Sequence, residues 1–152
     1  MSLSVVAPVA GRAIPLSEVP DPVFSAALVG PGMAIDPARE RRIIAVAPVG
    51  GTVVKLHPHA YVVQAANAAG VLVHLGIDTV QLAGAGFELL VEENAQVAAG
   101  DAIVAWDPAE VERGGRSAIC PVVALDATPA DLDNLAESGE IASGSQIFTW
   151  DR

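Results

Sequence analysis

The feature that most constrains the fold is a short motif that occurs twice in the chain. Residues 6–11 and 46–51 share the pattern Val-Ala-Pro-Val-x-Gly, and an apolar run follows each copy. Two copies are too few for a solenoid, so the repeat predicts a pseudo-symmetric β-sandwich in which one strand–turn–strand unit occurs twice. Pro8 and Pro48 are expected at strand starts or edges, where a missing N–H does no harm.

The composition favours the same class of fold. Hydrophobic residues make up 52% of the 152 residues but aromatic residues only 4%, so the core must consist mainly of aliphatic side chains, which suit many short strands. The 14 glycines and 11 prolines interrupt the chain too often for long helices. We predict an all-β, antiparallel β-sandwich with one or two short helices, and a single domain over residues 1–152 because no linker divides the chain.

The charge excludes one large class of function. The formal net charge is −10, from 18 acidic and 8 basic residues, and Lys55 is the one lysine. A surface that binds nucleic acid needs clustered lysine and arginine, so no nucleic-acid partner is expected, whereas an acidic surface favours a basic protein partner. The short basic cluster of Arg39, Arg41 and Arg42 is interpreted as a solvated turn.

The single cysteine, Cys120, lies in an apolar run at residues 117–123. It is expected to be a buried small hydrophobic residue rather than a nucleophile, and one cysteine cannot form an internal disulfide. No apolar run approaches the roughly 18 residues of a membrane span, and residues 1–4 lack the features of a signal peptide. We therefore expect a cytoplasmic protein without stable membrane insertion.

Proline, glycine and aspartate predict the local structure of three segments. Residues 19–24 are expected to form a loop, because the prolines there disfavour helix in the residues before them, and Phe24 is expected to anchor this loop to the core. Residues 30–32, Gly-Pro-Gly, are interpreted as a turn. The one clear helix is predicted after Asp107, with Asp107 as N-cap and Glu110 closing a capping box.

The clearest hairpin in the sequence joins residues 60–64 to residues 71–74, with asparagine and glycine turn signals between them. If the connecting loop has an even number of residues, His59 lies on the same face as His74. If Tyr61 is the residue opposite His74, His59 is a diagonal neighbour of His74, about 7–8 Å away between backbones. A shift of one residue would place the two rings on opposite faces of the sheet.

The second strand of this hairpin presents a histidine on a rigid element. Val71, Val73 and Leu75 occupy alternate positions, which indicates a strand with an apolar face, and His74 lies on the other face. Gly76 is expected to keep one side of the imidazole open for a ligand or a second protein. The simplest interpretation is a half-buried histidine whose ring is satisfied by a backbone carbonyl.

The chain has three histidines, His57, His59 and His74, of which the last two are the candidate site. Three chemistries fit such a pair. A metal site would use neutral imidazoles and a third ligand such as His57 or Asp78; acid–base catalysis would need a substrate pocket. Phosphoryl transfer would use one imidazole nitrogen as nucleophile and the other imidazole as hydrogen-bond donor. The residues alone leave these chemistries open.

Three other classes of function make different demands on these residues. A zinc-dependent hydrolase would use His57, His59 and His74 together, although Pro58 restricts the first of them. A lipoyl- or biotin-type carrier needs an exposed lysine at the tip of a turn, whereas Lys55 lies in an apolar run. A regulatory binding module that transfers nothing is the third alternative.

Several segments match the motifs of one protein family. The segments are Ala7-Pro8-x-x-Gly11, Val19-Pro20-Asp21-x-Val23-Phe24, Ala47-Pro48-x-x-Gly51-Thr52, His59-Ala60 and, above all, residues 73–80 (Val-His-Leu-Gly-Ile-Asp-Thr-Val). Through them the chain resembles glucose-type enzyme IIA (EIIA) of the phosphoenolpyruvate-dependent sugar phosphotransferase system (PTS), from about residue 5 to residue 147. The segment around His74 is highly specific for that family.

The resemblance implies a cytoplasmic β-sandwich of the duplicated-hybrid-motif, or barrel-sandwich, type that carries phosphoryl groups for sugar transport. His74 matches the histidine that the carrier HPr phosphorylates on Nε2. His59 matches the second histidine, which stabilises the phosphoryl group before it passes to a cysteine of the sugar-specific EIIB domain. No cofactor or metal is implied beyond the phosphohistidine intermediate; zinc at His59 and His74 would be adventitious, and regulatory targets are further partners. The rim that contacts HPr and EIIB is expected at Asp78, Gly76, Val73 and Leu75.

Two positions depart from the family pattern. The family often has threonine two residues before the second histidine, where this chain has His57, and Gly-Asp-Gly where this chain has residues 30–32. Because basic residues are too few for a phosphate cradle, we expect imidazole and backbone N–H groups to hold the phosphoryl group.

Overall fold

The computed structural model describes residues 2–39 and 42–151, and these residues form mostly β-structure. The strands are β1 (Ser2–Val6), β2 (Gly11–Pro15), β3 (Gly32–Pro37), β4 (Ile43–Val46), β5 (Gly51–His57), β6 (Ala60–Gln64), β7 (Gly70–His74), β8 (Phe87–Leu89), β9 (Gln96–Val97), β10 (Ala102–Trp106), β11 (Cys120–Ala124), β12 (Leu132–Asp133), β13 (Gly139–Ile141) and β14 (Gln146–Asp151). The helices are α1 (Pro22–Ser25) and α2 (Pro108–Arg113), with short 3-10 helices at Leu16–Glu18, Thr79–Leu82 and Pro129–Asp131.

The strands form one large sheet and two small ones. The large sheet has the order β13-β2-β3-β11-β7-β6-β5-β9, and the small sheets have the orders β1-β14-β12 and β4-β10-β8. All strand pairs of the described residues are antiparallel. The main core combines side chains from all three sheets, and its largest fully buried members are Trp106, Trp150, Tyr61 and Phe148. The predicted all-β, antiparallel sandwich with one or two short helices is confirmed.

The predicted repeat appears as a pseudo-two-fold relation between the two halves. The copies exchange hydrogen bonds: the Val6 N–H donates to the Pro48 carbonyl and the Val46 N–H donates to the Pro8 carbonyl, both at 2.9 Å. The two prolines are buried in the links that follow β1 and β4, so their predicted place at strand starts or edges is wrong. A residue in such a link makes no strand-pairing hydrogen bond through its N–H, so proline loses nothing there. The proline carbonyl can then accept the hydrogen bond that joins the two halves.

The turn predicted at residues 30–32 is also wrong, because these residues extend into β3 alongside β11. The Pro31 carbonyl accepts a hydrogen bond from the Ala124 N–H at 2.9 Å. A Cβ atom on Gly32 would lie 2.0 Å from the carbonyl oxygen of Val122. Glycine is therefore needed here for the close approach of two backbones.

A second apolar cluster covers the outer face of the large sheet. It consists of Ile14, Leu16, Val19, Phe24, Ala34, Ile77 and Val123. Phe24 anchors its segment there as predicted, but the loop predicted over residues 19–24 is wrong in its second half, which begins α1. The Asp21 carboxylate caps this helix by accepting from the Val23 N–H at 2.9 Å. Pro22 occupies the first helical position, where a missing N–H has no partner to lose.

Helix α2 begins where the sequence predicted. The Asp107 carboxylate accepts a hydrogen bond from the Glu110 N–H at 3.0 Å, so the N-cap is confirmed. The capping box is wrong, because the Glu110 carboxylate pairs with Arg113 on the exposed face of the helix instead of returning to the backbone of Asp107.

Cys120 is fully buried, as predicted. Its thiol donates to the Ala118 carbonyl at 3.4 Å, and burial raises the pKa of the thiol to about 12. A thiol with so high a pKa is almost entirely protonated at neutral pH and is a poor nucleophile.

The arginines of the predicted basic turn that the structure describes lie at the surface and form ion pairs. Of the predicted basic turn, Arg39 and Arg42 are exposed, whereas Arg41 lies outside the described residues. Arg39 pairs with Glu112 at 2.8 Å, and Arg42 pairs with Glu88. Within the two described ranges, no helix has the length and apolar character needed to cross a bilayer.

Candidate active site

The structure brings all three histidines together on the outer face of the large sheet. His74 ends β7, His57 ends β5, and His59 lies in the turn between β5 and β6. The ring centroids of His59 and His74 are 5.3 Å apart with the planes inclined at 65°. The rings of His57 and His59 are stacked, with centroids 5.7 Å apart and planes at 22°. Among residues 2–39 and 42–151, no group of three His, Cys, Asp or Glu side chains is arranged to hold a metal ion.

His59 and His74 meet for a different reason from the one that the hairpin pattern suggested. Ala60 lies opposite His74, and residues 65–69 form the connecting loop, so the expected even-numbered loop is wrong. In a regular strand this register would put residue 59 on the opposite face from His74. His59 instead lies in a two-residue turn, where strand alternation does not apply, and the Leu75 N–H donates to its carbonyl at 2.8 Å.

One hydrogen bond fixes the tautomer of His74. Its Nδ1 lies 2.5 Å from the carbonyl oxygen of Gly76. A carbonyl oxygen can only accept, so Nδ1 carries the proton and donates it. In the neutral ring the lone pair is then on Nε2. His74 therefore fits both sequence interpretations: Nδ1 donates a hydrogen bond to a backbone carbonyl, and Nε2 keeps the lone pair that a nucleophile needs.

Gly76 holds this arrangement because of its backbone conformation, not because it leaves the ring open. Its φ is +79°, and a Cβ atom there would lie 2.7 Å from Cγ2 of Thr79 and 2.9 Å from the carbonyl oxygen of Ser117. A left-handed conformation in so small a space favours glycine. The residue is buried, and the atoms nearest to the added Cβ belong to Thr79, Ser117 and Val111, not to the His74 ring, so the predicted role of Gly76 in opening one side of that ring is wrong.

Burial makes both facing rings less basic. It lowers the pKa of His74 below the ordinary value of 6.5, against the opposing effects of its hydrogen bond and of two carboxylates, Asp21 and Asp78. Burial also lowers the pKa of His59, and the neighbouring rings of His74 and His57 lower it further. The neutral form of both His59 and His74 therefore predominates at pH 7, and neutral His74 has a lone pair on Nε2.

Two segments each bring an aspartate and a valine to the surroundings of His74. Asp21 and Asp78 lie close enough for their charges to act on the ring. Val23, in α1, is 43% exposed, and Val80, in the 3-10 helix that follows Asp78, is 60% exposed. We call Asp21, Val23, Asp78 and Val80 the rim. Its valines offer apolar surface to a partner, and its carboxylates offer negative charge.

Most of the rim predicted from the sequence is wrong. Val73 and Leu75 are fully buried, because on a strand that points His74 outward the neighbouring side chains point into the core. Gly76 is buried too. Asp78 is the one predicted rim residue that is exposed.

Phe24 is a site contact that the sequence reasoning assigned only to the core. Its ring lies 5.3 Å from that of His74, with the planes inclined at 59°. The match of residues 19–24 to a family motif was the available signal, since it also contained Asp21 and Val23. That signal indicates the family but does not by itself place the segment beside His74.

Comparisons with known proteins agree with one another. The family model described as phosphoenolpyruvate-dependent sugar phosphotransferase system, EIIA 1, matches residues 3–129. The PTS system glucose-specific EIIA component of Oceanobacillus iheyensis is 40% identical over 137 residues, which are 89% of this chain and 78% of that protein. The solved structure of glucose permease IIA from Mycoplasma capricolum matches with a TM-score of 0.88 and 33% identity, covering 98% of this chain and 96% of that one.

Other relatives are much longer than this chain. The PTS system mannose-specific EIIBCA component of Corynebacterium glutamicum is 41% identical over 141 residues, which are 91% of this chain but 19% of that protein. This chain spans about a fifth of the length of the long curated relatives that it matches. The similarity therefore concerns one part of those proteins.

Proposed function

Because the chain belongs to the glucose-type EIIA family of the phosphoenolpyruvate-dependent sugar phosphotransferase system, and so is a phosphotransferase component, we propose that His74 receives a phosphoryl group from HPr and passes it to a cysteine of a sugar-specific EIIB domain. The observation that carries the proposal is the bond between Nδ1 of His74 and the Gly76 carbonyl. It holds the proton on one nitrogen and leaves Nε2 as the nucleophile.

Each transfer exchanges one bond to phosphorus for another. In the first, the Nε2 lone pair of neutral His74 forms a bond to phosphorus as the N–P bond of the donor phosphohistidine breaks. In the second, a thiolate of the acceptor forms the S–P bond, and the electron pair of the N–P bond returns to Nε2. Such transition states are loose, so the main tasks of the protein are alignment and stabilisation of charge.

His59 is the group placed to hold the phosphoryl oxygens. Its ring lies 5.3 Å from that of His74, and a neutral imidazole has one N–H to donate. A neutral donor stabilises the phosphoryl group less than a full positive charge would. That suits a carrier, because the group must leave again.

The rim supplies a surface that two partners would use in turn. Val23 and Val80 are apolar and exposed, so a docked protein would exclude water from Nε2 of His74. Asp21 and Asp78, together with a net charge of −10, favour a partner with a basic face. The EIIBCA names of the longer relatives support EIIB as the acceptor, and we place both exchanges in the cytoplasm.

The test is to incubate the protein with phosphoenolpyruvate, enzyme I and HPr, and to map the acid-labile, base-stable phosphate. We expect label on His74, no label in His74→Ala, and label without onward transfer to EIIB in His59→Ala. Lys55→Ala is the matched control, since this exposed residue of β5 lies outside the site and should leave both steps unchanged. Label that persists in His74→Ala would refute the assignment of the nucleophile.

The same preparation separates the alternatives. Stoichiometric zinc that resists dialysis and is lost in His59→Ala would favour the hydrolase. Binding of EIIB without transfer of label would favour a regulatory module. Transfer of label from HPr to EIIB in metal-free buffer would favour the carrier over both.

A further inference from the structure

The ring of His59 has no hydrogen bond to hold its orientation. In the part of the chain that the structure describes, its ring nitrogens have no hydrogen-bond partner, whereas Nδ1 of His74 is held by the Gly76 carbonyl. The ring contacts of His59 are those with His74 and His57. A donor that must meet a phosphoryl oxygen in a defined direction needs its ring plane fixed, so the neighbouring rings have to supply the constraint.

We propose that His57 is a positioning residue, which stacks on the face of His59 and holds that ring in its orientation toward His74. The stack has its centroids 5.7 Å apart and its planes at 22°, which is within the range of offset-stacked aromatic pairs. The other contact of His59, with His74, is edge-to-face at 65°. The two contacts together fix the plane of the His59 ring. The functional consequence rests on the proposed phosphoryl transfer; the stacking itself does not.

The turn between β5 and β6 is built to hold this stack. His57 lies opposite Ala60, so Pro58 and His59 form a two-residue turn, and neither has a positive φ. Proline fixes its own φ near −65° and suits the first position of such a turn. Because proline restricts the turn, the backbone loses little conformational entropy when it holds His57 and His59 side by side.

Pro58 is itself supported from the other side of the turn. A Cβ atom built on Gly84 would lie 3.4 Å from Cγ of Pro58, so the loop that follows the Thr79–Leu82 helix lies beside the tip of the turn. His57 is exposed and His59 is half-buried. The stack therefore covers a face of the His59 ring that would otherwise meet solvent.

The charged and titratable groups around the stack are few. His57 and His74 face His59 and lower its pKa, and Asp21 and Asp78 act on His74. Removing His57 is therefore expected to raise the pKa of His59 toward 6.5, because both burial and the neighbouring ring are lost.

Two variants separate stacking from the other properties of the His57 ring. His57→Ala removes the stack, and His57→Phe keeps an aromatic ring but has no nitrogen. Lys55→Ala changes an exposed residue of the same strand two positions earlier and is the matched control. We expect His57→Ala to slow transfer from phosphorylated His74 to EIIB by about threefold to tenfold, the effect of losing one aromatic pair. We expect His57→Phe and Lys55→Ala to stay within about twofold of wild type.

A second readout does not depend on phosphoryl transfer. In NMR spectra of the unphosphorylated protein, ring-to-ring nuclear Overhauser effects between His59 and His74 should weaken in His57→Ala and persist in His57→Phe. Unchanged ring contacts in His57→Ala would overturn the proposal, and so would a phenylalanine variant that behaves like the alanine variant. If the wild-type protein transferred no phosphoryl group, the proposed function would fail while the NMR measurement still tested the stacking.

Discussion

Replacing Gly76 by alanine tests the link between backbone geometry and the nucleophile. The new Cβ would lie 2.7 Å from Cγ2 of Thr79 and 2.9 Å from the Ser117 carbonyl oxygen, at a φ of +79°. The left-handed conformation costs an L-residue about 1–2 kcal/mol, and overpacking against backbone costs about 1–3 kcal/mol more. We expect Gly76→Ala to lose about 2–5 kcal/mol of unfolding free energy, and Nδ1 of His74 to lose its aligned carbonyl.

Gly100→Ala is the matched control, because Gly100 has a φ of +92° and nothing within 4 Å of its Cβ position. It should carry the conformational cost alone, about 1–2 kcal/mol. Urea unfolding with a two-state fit measures the loss of unfolding free energy in both variants. In a thermal scan, Tm should fall by about 4–20 °C in Gly76→Ala and by about 2–8 °C in the control. Phosphorylation of His74 should slow in Gly76→Ala and not in Gly100→Ala. Equal losses of stability in the two variants would refute the steric argument.

Three further predictions concern Asp21, the pair of His59 and His74, and Cys120. Asp21→Ala should lower the pKa of His74 further, since the Asp21 carboxylate raises it, and should cost about 1 kcal/mol through the lost cap; NMR titration with no shift would contradict this. Burial lowers the pKa values of His59 and His74 below 6.5 in the folded protein. Between those lowered values and pH 6.5 the unfolded chain therefore binds more protons than the folded protein, so the unfolding free energy should fall as the pH drops below 6.5. The double variant His59→Gln/His74→Gln should flatten that dependence, and a slope that survives in it would assign the effect to other groups. Cys120, with a pKa of about 12, should resist iodoacetamide at pH 8 in the folded protein and react in urea; rapid modification without urea would show that the strand opens.

The repeat was the most informative part of the sequence, because it constrains the whole chain at once. Two copies of a strand–turn–strand unit predicted a pseudo-symmetric sandwich, and the exchanged bonds of Val6 with Pro48 and of Val46 with Pro8 are its direct counterpart. Local signals were less reliable where tertiary contacts decided the outcome. Residues 30–32 contain the composition of a turn, but the need for two backbones to approach closely at Gly32 explains those glycines equally well.

The candidate site shows the same limit on a smaller scale. The sequence identified His59 and His74 as the pair to examine, but strand alternation could not show that His59 lies in a turn. The alternation of side chains along a strand does indicate that Val73 and Leu75 face away from His74, so their inclusion in the predicted rim was inconsistent with that pattern. The contact of Phe24 with His74 joins residues far apart in the chain. The family motif at residues 19–24 marks that segment, but no local pattern shows that it lies beside His74.

The relation between the two halves gives His74 a twin, which is the residue at the equivalent position of the other half. The bond from the Ala124 N–H to the Pro31 carbonyl is the counterpart of the one that joins Leu75 to His59, so the twin of His74 is Val123, one residue before Ala124. Val123 is buried in the apolar cluster that also holds Phe24, and the Phe24 ring reaches His74. One of the two equivalent positions thus carries the proposed nucleophile, and the other, Val123, packs in the apolar cluster that supports the Phe24 ring beside His74.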